Sequence, residues 1–173
     1  MNRGLIHIYC GDGKGKTTAS LGLTLRAAGR DMSVVFSQFL KDGKSGELVL
    51  LSEISNVILL PPEKSFGFSW TLSPEEKIEA AEFYTSHFRR ATELARLSDL
   101  LVLDEIVGAC NCGFVPEEEV LDFLRNKPEG LEVVMTGRDP SQALIDAADY
   151  VTEMRKIKHP FDQKIGARKG IEF

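Results

Sequence analysis

Residues 11–18 read GDGKGKTT, directly after the apolar run LIHIYC and directly before ASLGLTLRAAG. A strand that runs into a glycine-rich turn and leaves it as a helix admits few folds. Gly11, Gly13 and Gly15 let backbone N–H groups turn inward without Cβ clashes. The following helix points the positive end of its dipole at the same spot. Lys16 adds a point charge for phosphate oxygens, and Thr17 adds a hydroxyl for Mg²⁺. Gly11, Asp12, Gly13, Lys14, Gly15, Lys16, Thr17 and Thr18 therefore form the candidate phosphate cradle. The match to G-x-x-x-x-G-K-[ST] is shifted. Counting back from Gly15, the first glycine position holds Cys10, and glycine comes one residue late.

The rest of the chain alternates in the manner this cradle needs. Strand candidates are LIHIYC, SVVFSQFL, NVILL, DLLVLDE, LEVVMTG and DYVTEM. They are short and rich in Val, Ile and Leu, and they do not alternate with polar residues, which fits strands buried on both faces. Helical patterns lie between them near 16–29, 46–55, 74–98, 116–126 and 140–148. In the third of these, Ser73, Pro74 and Glu76 form a capping box. Ile78, Ala81, Tyr84, Phe88, Ala91 and Ala95 then predict its buried face. With 173 residues, the pattern predicts a single α/β domain over 1–173, with three layers, α/β/α, and a mostly parallel six-stranded sheet. The cradle makes it a P-loop, RecA-like nucleotide-binding fold.

A second element supports the cradle. DLLVLDEI is an apolar strand ending in Asp104 and Glu105, and a carboxylate there would hold Mg²⁺ directly or through water. Glu105 could also serve as a base, so γ-phosphate chemistry by a RecA-like or kinase-type NTPase stays open on the residues alone. Segment 61–72 carries Phe66, Phe68 and Trp70 among Gly, Ser and Pro, either as core plugs or as a surface waiting for a ligand.

Composition narrows the partners. A net charge of −5 suits duplex DNA poorly, so nucleic acid is not an expected partner. Charge is uneven, however: six Lys or Arg and a single acid, Asp162, lie between Arg155 and Lys169. Three cysteines cannot all pair. Cys110 and Cys112 form a lone C-x-C, which reads as small buried thiols rather than a zinc site. No run approaches the ~20 apolar residues of a membrane span, and nothing resembles a signal peptide. A cytoplasmic location is expected.

The chain resembles the ATP:corrinoid adenosyltransferases of the aerobic cobalamin-biosynthesis type. The shared marks are GDGKGKTTASLGLTLRAAG at 11–29, VVFSQFLK at 34–41, GFSW at 67–70 and LVLDEI at 101–106, followed by VVMTGRDPSQALIDAADYVTEM at 133–154, KHPF at 158–161 and the ending GARKGIEF. The late first glycine is itself a trait of that family. The family often has Asn where this loop has Asp12, and an acid beside phosphates is adverse. Some relatives carry an N-terminal lid, and this chain is expected to lack it.

The resemblance implies a reaction at the far end of ATP. Cobalt(I) of a reduced corrinoid attacks the ribose 5′ carbon, and triphosphate leaves. ATP would lie reversed in the loop relative to other P-loop enzymes. Lys16 would then hold a leaving group, while Phe68 and Trp70 displace the lower ligand of cobalt(II) and ease its reduction. Arg26 is implied as a nucleotide contact, and Arg138, which follows a strand end where α/β sheets bind ligands, is expected either to shape the site or to contact phosphate. Lys158 and His159, within a basic corrinoid-side segment at 155–173, are implied on the corrinoid side. A reduced, flavodoxin-like flavoprotein donor and a homodimer are also implied.

Overall fold

The computed structural model describes residues 3–171, apart from the side chain of Phe161. Glu172 and Phe173, the last two residues of the GARKGIEF ending, lie outside the described residues.

Six strands form one sheet: β1 (Ile6–Cys10), β2 (Val34–Gln38), β3 (Val57–Leu60), β4 (Leu100–Asp104), β5 (Glu132–Thr136) and β6 (Tyr150–Glu153). Their order is β3-β2-β4-β5-β1-β6, and the pairings are all parallel. The apolar runs explain this arrangement. All five residues of β2 and of β4 are buried, as strands with helices on both faces must be. β6 departs from the expectation of burial on both faces. It lies at the sheet edge against β1 alone, and all four of its residues are exposed.

Six helices cover the sheet: α1 (Lys16–Ala28), α2 (Gly46–Leu51), α3 (Pro74–Leu94), α4 (Ile106–Asn111), α5 (Glu117–Asn126) and α6 (Gln142–Ala147). Alternate strand residues face opposite layers. Ile8, Leu101, Leu103, Val133 and Met135 pack with Tyr84 and Phe88 of α3, Val120 of α5 and Leu144 of α6. Val34, Phe36, Leu100, Val102 and Val134 pack with Ala27 of α1 and Leu51 of α2. The three-layer expectation therefore holds.

Helix α3 starts as its sequence predicts. Ser73 Oγ accepts from the Glu76 N–H at 3.2 Å, and Glu76 Oε2 accepts from the Ser73 N–H at 2.8 Å. Its buried face differs from the predicted one. Ala80, Tyr84, His87, Phe88 and Ala91 are buried, whereas Ile78 is 63% exposed. Two successive steps of three residues leave Ile78 about 120° around the axis from Tyr84, too far to share a narrow stripe.

His87 makes a buried polar contact beneath β2. Its Nε2 lies 3.0 Å from Ser37 Oγ, and the ring meets Phe39 edge-on at 5.1 Å. Burial pushes its pKa below the ordinary histidine value. The unfolded chain therefore takes up this proton at a higher pH than the native one. Stability is expected to fall as pH drops below roughly 6.5, until the folded value is passed. Urea unfolding at pH 7.5 and 5.5 should show a smaller loss for His87→Gln than for the unsubstituted chain.

Because the strands are parallel, their carboxyl ends share one rim. Gly11, Lys41, Glu105, Arg138 and Met154 all follow strand ends on that rim, where open α/β sheets bind ligands.

Candidate active site

The loop between β1 and α1 passes under the end of β6. A Cβ on Gly11 or on Gly13 would lie 2.5 Å from the Met154 carbonyl oxygen. Glycine is thus required for this close approach, a second reason beyond turning N–H groups inward. The Gly13 N–H donates to Met154 O at 2.6 Å, so it points at β6 rather than into the cradle. Gly15 caps α1 at φ 116°, in the left-handed region that other residues resist.

Asp12 has a use the sequence conceals. Its Oδ1 accepts the Lys156 N–H at 2.8 Å, and that bond holds its carboxyl below the usual range. The acid thereby ties the loop to the basic segment. Lys14 donates to Ile171 O at 3.2 Å and makes a second tie to the tail.

Lys16 is 7% exposed. Its Nζ donates to Gly11 O and Gly13 O, both at 2.8 Å. Burial lowers its pKa. The ammonium is held in the loop by two neutral carbonyls, and an anionic oxygen, ionised on the acceptor side as well, would be a stronger partner for it.

Asp104, at the end of β4, is fully buried. Its Oδ1 accepts from Thr136 Oγ1 at 2.7 Å and from Thr17 Oγ1 at 2.9 Å. Its Oδ2 accepts from Lys41 Nζ at 2.6 Å. Glu105 follows at φ 67°, and its N–H donates to Thr136 Oγ1 at 2.8 Å. Non-glycine residues persist in this region only where surroundings over-determine them, and such strain gathers at functional sites. Burial, with Asp104 adding to it, pushes the Glu105 carboxyl up. Hydroxyl and carboxylate oxygens suit a hard divalent cation. Among the described residues no cluster of three His, Cys, Asp or Glu could hold a metal unaided. Mg²⁺ needs none, because it takes one or two carboxylates and completes its shell with water and substrate phosphates.

Several of these groups line one cavity of about 850 Å³, whereas Asp104 and Thr136 are fully buried behind it. Lys16, Thr17, Thr18, Lys41, Glu105, Arg138 and His159 line it. A second cavity of about 590 Å³ lies among Lys14, Arg155, Lys156, Lys158, His159 and Arg168. His159 and Lys14 border both.

A model of the family described as ATP:corrinoid adenosyltransferase BtuR/CobO/CobP matches residues 2–173. The chain belongs to this family. It is 34% identical over 172 residues to the corrinoid adenosyltransferase CobA of Salmonella typhimurium, covering 99% of this chain and 86% of that protein. It is 34% identical over 173 residues to the corrinoid adenosyltransferase of Escherichia coli, with 99% and 86% covered. For the corrinoid adenosyltransferase of Pseudomonas aeruginosa the identity is 36% over 180 residues, with 99% and 84% covered. Among solved structures, EssC ATPases 2 and 3 of Geobacillus thermodenitrificans align at TM-score 0.52 and 17% identity, over 96% of this chain and 35% of that one. EccC ATPases 2 and 3 of Thermomonospora curvata align at TM-score 0.54 and 15% identity, over 93% and 32%. The chain spans about a third of those ATPase chains. At such identities the likeness carries the P-loop fold alone.

The adenosyltransferase resemblance singled out residues beyond the cradle, and the structure places them unevenly. The loop at 61–72 divides its aromatics. Phe66 packs on Phe83 and Tyr84 at 5.6 and 5.7 Å and joins the core. Phe68 and Trp70 stack on each other at 4.6 Å and remain 64% and 76% exposed. Arg138 and His159 reach the main cavity, and Lys158 reaches only the second. Arg26 stands on the last turn of α1, about 15 Å along the axis from Lys16, outside both linings. Cys110 and Cys112 are half-buried, and burial pushes the Cys110 thiol up to about 12. Sequence reasoning missed Lys41 and Thr136 as parts of the site. Each stands at or just past a strand's carboxyl end, a signal that was available but shared with many residues.

Proposed function

We propose that this chain transfers the 5′-deoxyadenosyl group of ATP to cobalt(I) of a reduced corrinoid and releases inorganic triphosphate as one unit. The observation that carries the reading is the continuity of the main cavity. Its lining takes in both Lys16 and Thr17 of the loop and His159 and Ile171 of the tail. One end suits a polyphosphate, and the other opens beside a second, basic-walled cavity where a macrocycle could approach.

The step needs few protein groups. Cobalt(I) donates an electron pair to C5′, a cobalt–carbon bond forms, and the C5′–O5′ bond breaks. The departing oxygen keeps its electron pair, and no proton moves. A protein base is therefore unnecessary, which removes Glu105 from that role. The chain's task is alignment, worth on the order of 7–11 kcal/mol in favourable cases, together with charge stabilisation of the triphosphate. Lys16 contacts the phosphates, and Lys14 and Arg138 add positive charge around them. Thr17 and Asp104 would hold Mg²⁺, with Glu105 beside them. When bound, the ion neutralises charge on the leaving group. Phe68 and Trp70 form the apolar shelf under the corrinoid. A reduced flavoprotein is the proposed electron donor, a homodimer the proposed assembly, and the cytoplasm the proposed location. None of the described helices is long and apolar enough to cross a membrane.

The test is product analysis under anaerobic conditions with MgATP and chemically reduced cobalamin. The expected products are a light-sensitive adenosyl-cobalt species and triphosphate in equal amounts. ADP or phosphate in its place would establish γ-phosphate chemistry instead.

A further inference from the structure

Lys41 lies three residues beyond β2 and sends its ammonium across the rim. Its Nζ stands 2.6 Å from Asp104 Oδ2 and 3.2 Å from Thr17 Oγ1. A carboxylate and a hydroxyl converging on one cation are the same two oxygens assigned above to Mg²⁺. The Asp104 side chain is 0% exposed, while that of Lys41 is 25% exposed. An ionised carboxylate buried this deeply needs a cation beside it, because an unpaired buried charge is strongly destabilising. The ammonium, by contrast, has a way out. Lys41 lines the main cavity alongside Lys16, Glu105 and Arg138, so its flexible stem can swing toward a bound polyphosphate without disturbing the core.

We propose that Lys41 is the built-in occupant of the metal position. While nucleotide is absent it neutralises Asp104 and keeps Thr17 and Asp104 in ligand-ready geometry. When the metal–nucleotide complex arrives, the ammonium yields its place and turns onto the triphosphate. The site then never exposes a bare buried carboxylate, and the chain refuses free divalent cations until nucleotide brings one. Lys41 is a positioning residue before ATP binds and a triphosphate contact afterwards. The inference rests on reading Thr17 and Asp104 as the metal ligands.

Mn²⁺ serves as the probe, with free ion measured by electron paramagnetic resonance and no nucleotide present. Lys41→Met removes a positive charge a few Å from the incoming ion, so it is expected to bind Mn²⁺ at least about tenfold tighter than the unsubstituted chain. Mn²⁺ should also raise the unfolding temperature of Lys41→Met and leave that of the unsubstituted chain unchanged. Lys41→Gln, which keeps a donor for Asp104, provides the same comparison if Lys41→Met does not fold. Equal Mn²⁺ affinities, within twofold, would overturn the proposal. Thr17→Val separates the two levels of the argument. If it weakens Mn²⁺ binding in the presence of ATP while the Lys41 variants match the unsubstituted chain, the metal site stands and the Lys41 inference falls. If Thr17→Val leaves that binding intact, the metal assignment itself is wrong.

Discussion

Lys16→Ala is expected to lower kcat/KM for ATP by about 10²–10³, the range seen when one preorganised donor to developing charge is removed. The ammonium is nearly buried and held by two loop carbonyls, so phosphates would meet it in place and need only take over from those carbonyls. Its bonds are confined to its own loop, and the far-ultraviolet circular dichroism of the variant should match that of the unsubstituted chain. Lys16→Arg should not rescue activity, because a planar guanidinium cannot occupy a pocket shaped around a compact ammonium. The reading also specifies where the loss falls. If Lys16 grips the departing unit, the variant must lose affinity for inorganic triphosphate as a competitive inhibitor by a similar factor. Adenosine should compete equally well against both proteins. A variant that binds triphosphate normally would show that the cradle holds some other part of the substrate.

Much of this site was legible because the motif residues take their roles from backbone geometry. The strand, the turn and the helix N-terminus are encoded within 15 residues, and Asp104 ends an apolar run that could only be a central strand. The less legible parts depend on contacts between distant segments. The carboxylate of Asp12 looks adverse beside phosphates until Lys156, far away in sequence, presents its N–H. Gly13 looks like a phosphate donor until the end of β6 accepts its hydrogen bond. Helix α4 is too short to show periodicity and lacks a side-chain N-cap, so it left no signal. Strand β6, YVTE, is more polar than the central strand LLVLD, a weak cue to the edge position that the sheet order gives it. Lys41 falls in the shared stretch VVFSQFLK, but its partner Asp104 ends a neighbouring strand.

Trp70→Ala should divide the reaction in two. Phe68 caps and Trp70 centres a single 3-10 turn, Ser69–Thr71, pinned by the Thr71 hydroxyl donating to Phe68 O at 2.7 Å. They stack on each other while the neighbouring Phe66 takes the core position. Two large adjacent aromatics facing solvent on a fixed turn do little for folding, and such patches mark binding surfaces. If the pair forms a dry shelf under the corrinoid, its work is finished once cobalt(I) exists. Covering about half of an indole's ~200 Å² is worth roughly 2.5 kcal/mol, or nearly two orders of magnitude in rate. Trp70→Ala is therefore expected to lose close to that factor when the assay starts from cobalt(II) and a mild reductant. Starting from pre-formed cobalt(I), the loss should stay below about tenfold, because alignment of C5′ rests on the cradle. Trp70→Phe should recover most of the first assay. Stability should change by no more than about 0.5 kcal/mol, as for other exposed substitutions, so denaturation cannot imitate the split. Equal losses in both assays would mean that the aromatic pair positions the corrinoid without easing its reduction, and the step from cobalt(II) would then need a different part of the protein.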